Sequence, residues 1–262
     1  MNKEKFIMSQ ARTALKGSWI VIIAMLLVIS AIIIVFAGAE SLVLVLTKAV
    51  DSETEIPKPG KELTASIISC CVYAVMFFLS PLINGFYKSI YTVAHNEVPT
   101  VWDLFYYMKS PRLYFKSLLL NLILALILGT AVFAFNFNYV TNMLTEPLSD
   151  MPEVLITVIS AVLNLVFLAV SVLLISFVYL FFVNYALFEF ADDPNANVFV
   201  CFGRGVRMFV KNFGNTMRLY FRFAGWIALC FFVVPAFYVL PYMAVSFATS
   251  AKWLISMEKG RN

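Results

Sequence analysis

His95 is the only histidine of the chain and sits beside Asn96 and Glu97. It is the natural starting point for a search for chemistry. A metalloprotease helix needs H-E-x-x-H, and no second histidine exists to complete it. No G-x-S-x-G elbow and no Walker glycine loop occurs, and Gly203-Arg204-Gly205 is too short a glycine element to cradle phosphate. The titratable groups that could converge on a lipid substrate are Glu189, Asp192 and His95. The pattern predicts no catalytic residue, no cofactor and no metal site. The four cysteines, Cys70, Cys71, Cys201 and Cys230, contain no C-x-x-C and read as small hydrophobes rather than a disulfide framework.

A different constellation carries more. Arg204, Arg207, Lys211, Asn215, Arg218 and Arg222 fall at i, i+3, i+7, i+11, i+14 and i+18, a single polar stripe at helical spacing. Phe199, Phe202, Val206, Phe209, Val210, Phe213 and Met217 fall on the opposite side. A helix that is basic on one face and bulky and apolar on the other lies in a membrane interface and attracts anionic phospholipid. Arg204, Arg207, Lys211, Arg218 and Arg222 are therefore the candidate lipid contacts. Asp193 and Pro194 are placed to start this helix as cap and first residue, and Gly214 is placed to break it. The second polar group is intramembrane: Asn121 and Asn164, in otherwise apolar runs, are candidates for interhelical bonding or for contact with a solute.

These residues need elements to hold them, and the charge distribution supplies them. Five stretches carry no charged residue: Gly17–Ala39, Leu63–Tyr87, Ser117–Thr145, Val154–Phe188 and Phe223–Ala251. About 20 apolar residues suffice to cross a bilayer as helix. Hydrophobic residues make up 62% of the chain and charged ones 13%, with mean hydropathy +0.88. A soluble globular domain is excluded by that balance. The runs are continuous rather than alternating, which argues for helices over barrel strands.

Lysine and arginine are distributed by segment. Sixteen of nineteen lie in the N-terminal tail, the second loop, the fourth loop and the C-terminal tail. The third loop has none, only Glu146, Asp150 and Glu153. The positive-inside rule then places both termini in the cytoplasm of a multi-pass cell-membrane protein. Equal-sided termini require an even number of crossings, so the last run is expected to turn at Pro235–Leu240 and return. Run Val154–Phe188 is too long for one upright span and is expected to tilt or to continue below the membrane as helix. Trp19, Trp226 and Trp253 fall at predicted inner boundaries. The stretch Trp19–Ala37 is longer than a signal-peptide core, so Ala37-Gly38-Ala39 is read as part of a retained first span.

The expected fold is all-α: one polytopic helical membrane bundle over residues 1–262, about six transmembrane helices in three hairpins, with cytoplasmic interfacial amphipathic helices. Thr100 with Asp103 forms a box-like helix start, and Ser110-Pro111 a break before Arg112 and Lys116. The N-terminal segment repeats the plan up to Lys16-Gly17-Ser18-Trp19. Pseudo-repeats are expected at about 1–95, 96–190 and 191–262.

Several short motifs support a resemblance. Ala11-Arg12-Thr13-Ala14-Leu15-Lys16-Gly17-Ser18-Trp19 resembles the opening A-x-x-x-L-x-G-x-W of a bacterial multi-pass membrane family, domain of unknown function 975. Pro81-Leu82-Ile83-Asn84-Gly85-Phe86, Ala191-Asp192-Asp193-Pro194 with Val210 to Asn215, and Leu240-Pro241-Tyr242 are similar to its later signatures. Phe213 interrupts the fourth-loop motif, and Val234-Pro235-Ala236 stands where the family has a glycine-rich turn. The resemblance implies an integral membrane protein of unassigned role, distantly like the membrane domains of glycerophosphodiester phosphodiesterases, and confers no catalytic residue. Three readings follow. One is a non-enzymatic protein whose partners are the lipid bilayer, anionic phospholipid and a membrane-protein partner, with no nucleic acid. The second is a transporter or channel for a neutral or amphiphilic small molecule. The third is a lipid enzyme.

Overall fold

The structure is a computed structural model and describes residues 3–50, 58–134, 153–229 and 233–260. Ten α-helices and two tighter or wider helical segments account for the regular structure among the described residues. They are α1 (Lys3–Leu15), α2 (Trp19–Leu46), α3 (Glu62–Leu79), α4 (Pro81–Ala94), a 3-10 helix (Val101–Met108) and α5 (Pro111–Ala134). Then come α6 (Glu153–Val178), a π segment (Tyr179–Asn184), α7 (Tyr185–Asp192), α8 (Val198–Lys211), α9 (Phe213–Leu229) and α10 (Val233–Lys259). Among the described residues four helical stretches are long and apolar enough to cross a membrane: Trp19–Leu46, Glu62–Ala94, Pro111–Val132 and Thr157–Asp192.

The two ends of these spans differ in packing. Along α2 and α6 large apolar side chains point outward, among them Ile34, Val35, Leu42, Leu165, Leu168 and Leu173. Contiguous apolar surface of this kind is what a helix presents to hydrocarbon or to an apolar partner. At the other end α1, α4, the 3-10 helix, α7, α8 and α10 close on a dense core containing Leu15, Ile90, Leu104, Phe188, Phe209, Phe223, Phe247 and Leu254. Close backbone approach makes this possible. At Gly85 a Cβ would overlap the Leu104 carbonyl, so α4 and the 3-10 helix touch main chain to main chain. Tyr107 stacks on Phe190 at 4.9 Å and donates its hydroxyl to the Phe190 carbonyl at 3.2 Å. Its burial holds that hydroxyl well above the ordinary tyrosine range.

Local signals explain several boundaries. Thr100 N–H and Oγ1 both donate to Asp103 Oδ2, at 2.7 and 3.0 Å, so the capping box starts the 3-10 helix as expected. Gly17-Ser18 separates α1 from α2, and Ser110 precedes the Pro111 that opens α5. The long fourth run continues as helix to Asp192, through the π segment.

Other expectations are corrected. The first apolar helix extends past Ala39, through Glu40, to Leu46. Asp193 and Pro194 do not start α8. Asp193 Oδ1 instead accepts the Asn195 N–H at 3.1 Å in a local turn. Asn197 is the cap, its Oδ1 accepting from Phe199 N–H at 3.0 Å. The break after α8 falls at Asn212 rather than Gly214. The Asn212 amide donates to the Met208 carbonyl at 3.1 Å, satisfying an end-of-helix acceptor.

No turn forms at Pro235–Leu240, where α10 runs continuously. Pro235 is its third residue, where the missing N–H has no partner to lose. Pro241 is interior and removes one ladder bond, which an apolar, protein-packed helix tolerates. Cys230, Glu146 and Asp150 lie outside the described residues.

Candidate functional site

The basic residues of the fourth loop sit on two helices, not one. α8 carries Arg204, Arg207 and Lys211, and α9 carries Arg218 and Arg222. Around α8 three strips follow one another. Val198, Cys201, Gly205, Met208 and Phe209 are buried against the protein. Next come Phe199 and Val210, exposed, with Val206 between them half-buried. The exposed guanidinium and ammonium groups of Arg204, Arg207 and Lys211 complete the circle. The apolar face expected from spacing is thus divided: one half packs on α7, the other stays open beside the cations. Phe202 lies at the boundary, stacked on Phe182 at 6.2 Å. The rotation of α8 is fixed by Gly205, where a Cβ would lie 2.5 Å from the Ala186 nitrogen.

Lys211 Nζ lies 3.9 Å from Glu258 of α10. Both side chains keep contact with solvent, so the pair is worth at most about 1 kcal/mol. Cys201 is buried, and that burial raises its thiol from 9.0 to about 11.

Arg218 and Arg222 face α1. With Lys3, Glu4, Asn215 and Phe221 they line an open cleft of about 730 Å³. Glu4 is buried, and its Oε1 lies 3.9 Å from Arg218 Nη1. The α1 contribution to this cleft is absent from the helical stripe, because it comes from residues more than two hundred positions away. The only sequence sign is the basic, amphipathic character of the N-terminal segment.

The two chain ends meet nearby. Lys3 Nζ stands 4.8 Å over the Trp253 ring, and Tyr242 donates its hydroxyl to the Met8 carbonyl at 3.2 Å. α1 and α10 therefore lie side by side from Tyr242 to Trp253.

The intramembrane asparagines part company. Asn121 Nδ2 donates to Ser80 Oγ at 2.8 Å, and Asn84 Nδ2 to Ser117 Oγ at 2.5 Å, so α5 is joined to the α3–α4 junction by uncharged polar groups. Asn164 is exposed on α6 and joins neither pair. It does not share a polar path with Asn121.

Glu189, Asp192 and His95 do come to one region, through Tyr91. The Tyr91 hydroxyl donates to Asp192 Oδ1 at 3.0 Å, while the His95 ring packs edge-on against Tyr91 at 4.7 Å and its Nδ1 lies 2.9 Å from the Tyr91 carbonyl. Lys259 takes the other Asp192 oxygen at 2.5 Å, and that hydrogen bond raises the lysine above its ordinary value. Asp192 is thereby occupied on both oxygens, linking α4, α7 and α10. Among the described residues no three His, Cys, Asp or Glu side chains are grouped to hold a metal ion.

No family model matches the chain, and neither do any curated protein or any solved structure.

Proposed function

We propose that this chain is a multi-pass membrane protein without catalytic chemistry that engages anionic phospholipid at the cytoplasmic leaflet through α8 and α9. The observation that carries this reading is the open half of α8, where Phe199 and Val210 run beside Arg204, Arg207 and Lys211. Apolar groups at the depth of the acyl boundary and cations at the depth of the phosphates are what an interfacial helix presents. Each basic residue near an anionic surface contributes about 1 kcal/mol.

The reading includes six crossings in three units. Each unit is a short interfacial helix, a break, an outgoing helix and a return: α1 with α2 to α4, the 3-10 helix with α5 to α7, and α8 with α9 and α10. Breaks at Gly17-Ser18, Ser110-Pro111 and Asn212 support the scheme, as does the meeting of the termini at Lys3 and Trp253. The cell membrane is the location that the distribution of basic residues favours.

The test is lipid selectivity of the full chain in bilayers of phosphatidylcholine and phosphatidylglycerol, read with spin-labelled lipids. The motionally restricted fraction favours phosphatidylglycerol, and the preference falls with added salt and with Arg204→Gln/Arg207→Gln/Lys211→Gln. Equal selectivity for the two lipids refutes the proposal.

A further inference from the structure

The cleft between α1 and α9 has a charge arrangement that a merely solvated surface does not require. Lys3, Arg218 and Arg222 bring three cations to one opening, and Glu4 returns one negative charge from a buried position. The opening therefore keeps a net positive charge, which attracts an anion. Arg218 and Arg222 are four apart on α9 and so project to the same side, and Asn215 adds an amide one turn earlier. Guanidinium groups bind phosphate oxygens through paired N–H donors, which a lysine cannot imitate. Lys3 is held at the rim by its contact with the Trp253 ring.

Two features choose among phosphates. Glu4 accepts hydrogen bonds and repels a second phosphate oxygen, so beside the cations it suits a headgroup with hydroxyls to donate. Phe221 lines the same cleft, yet is 65% exposed. An exposed aromatic at the mouth of a phosphate site fits the glycerol esters and first methylenes of a lipid, and gives a free anion nothing. The cavity, about 730 Å³, is large enough for such a headgroup.

We propose that the α1–α9 cleft is a site for one phospholipid whose phosphodiester headgroup carries free hydroxyls, with Arg218, Arg222 and Lys3 on the phosphate, Glu4 on the hydroxyls and Phe221 against the glycerol backbone. The assignment rests on the inner-leaflet reading above and narrows it to a single bound molecule.

The experiment is native mass spectrometry of the full chain released from micelles doped with phosphatidylglycerol or phosphatidylcholine. The unmodified protein retains one phosphatidylglycerol under conditions that strip phosphatidylcholine. Lys3→Gln/Arg222→Gln, which leaves the Glu4–Arg218 pair in place, lowers that retention at least fivefold. Arg222→Lys keeps more of it than Arg222→Gln, and Arg112→Gln, an exposed basic residue outside the cleft, leaves it unchanged. Inorganic phosphate or glycerol phosphate at millimolar concentration does not displace the lipid. Unchanged retention in Lys3→Gln/Arg222→Gln overturns the site. If bilayer selectivity still falls with the α8 variants, the broader reading survives that loss. Displacement by soluble phosphate makes the cleft a site for free anions and overturns the lipid assignment. A folding defect in the double variant is recognised by its melting temperature, and the Arg222→Lys against Arg222→Gln comparison then decides.

Discussion

Gly205 of α8 lies so close to Ala186 of α7 that a Cβ at Gly205 would stand 2.5 Å from the Ala186 nitrogen. That contact sets how α8 is rolled. It turns Cys201, Met208 and Phe209 inward and leaves Arg204, Arg207 and Lys211 outward. A packing constraint on one face thereby determines which charges stand outward on the other.

Gly205→Ala forces the two helices apart, since the obstacle is backbone and cannot rotate away. The expected cost is about 1–3 kcal/mol. Gly203, two residues earlier, has nothing within 4 Å of its would-be Cβ. Gly203→Ala replaces a poor helix former with the best one and stabilises by up to about 1 kcal/mol. Thermal denaturation in matched micelles checks the order. A Gly205→Ala protein as stable as Gly203→Ala would show that the close approach does not exist.

Cys201 gives a pH signature. Its folded-state thiol titrates at about 11, above its ordinary 9.0, because burial penalises the thiolate. A raised folded value means that the stabilising contribution is complete below about pH 9. It is lost as pH rises from there toward 11, since only the unfolded chain sheds the proton early. At pH 7.5 the native thiol is both protonated and enclosed, so iodoacetamide modifies Cys201 more than tenfold slower than in the denatured chain. Peptide mass spectrometry reads the difference, and rapid native labelling contradicts the burial of that strip.

Much of the scaffold is legible in the sequence because the signals are short-range. Thr100 and Asp103 are three residues apart and need nothing else to form their box. Gly17-Ser18 and Ser110-Pro111 interrupt the backbone wherever they stand. A local rule gives way where a particular position removes its physical basis. Proline as a rule ends a helix, but Pro235, as third residue of α10, costs no hydrogen bond. Asp193 and Asn197 are both competent caps; the first is taken by the Asn195 N–H.

The candidate lipid contacts show the same division. Helical spacing groups Arg204 to Arg222, yet the break at Asn212 sends Arg218 and Arg222 to a different surface, where their neighbours are Lys3 and Glu4. The Tyr91–Asp192–Lys259 connection is likewise long-range and has no sequence pattern.

The two intramembrane asparagines separate by consequence as well as by place. Asn121→Ala loses the hydrogen bond to Ser80 and costs about 0.6 kcal/mol, the average for polar contacts between membrane helices. Asn164→Ala, on the exposed side of α6, leaves stability unchanged or raises it in lipid. Unfolding in matched micelles measures both. A larger loss at residue 164 than at 121 contradicts the placement of Asn164 on the outer surface.

How the chain is threaded decides which basic residues can reach the inner leaflet, and sidedness of labelling measures it directly. Single cysteines are introduced as Lys58→Cys, between α2 and α3, Arg207→Cys on α8 and Lys259→Cys at the end of α10, in a chain whose native thiols are replaced by alanine. Sealed vesicles with their outer face exposed are treated with a membrane-impermeant maleimide. The predicted result is labelling of Lys58→Cys at once, and of Arg207→Cys and Lys259→Cys only after the vesicles are opened. Labelling of Arg207→Cys and Lys259→Cys from opposite faces, or of all three from the same face, contradicts the threading and the lipid contacts built on it.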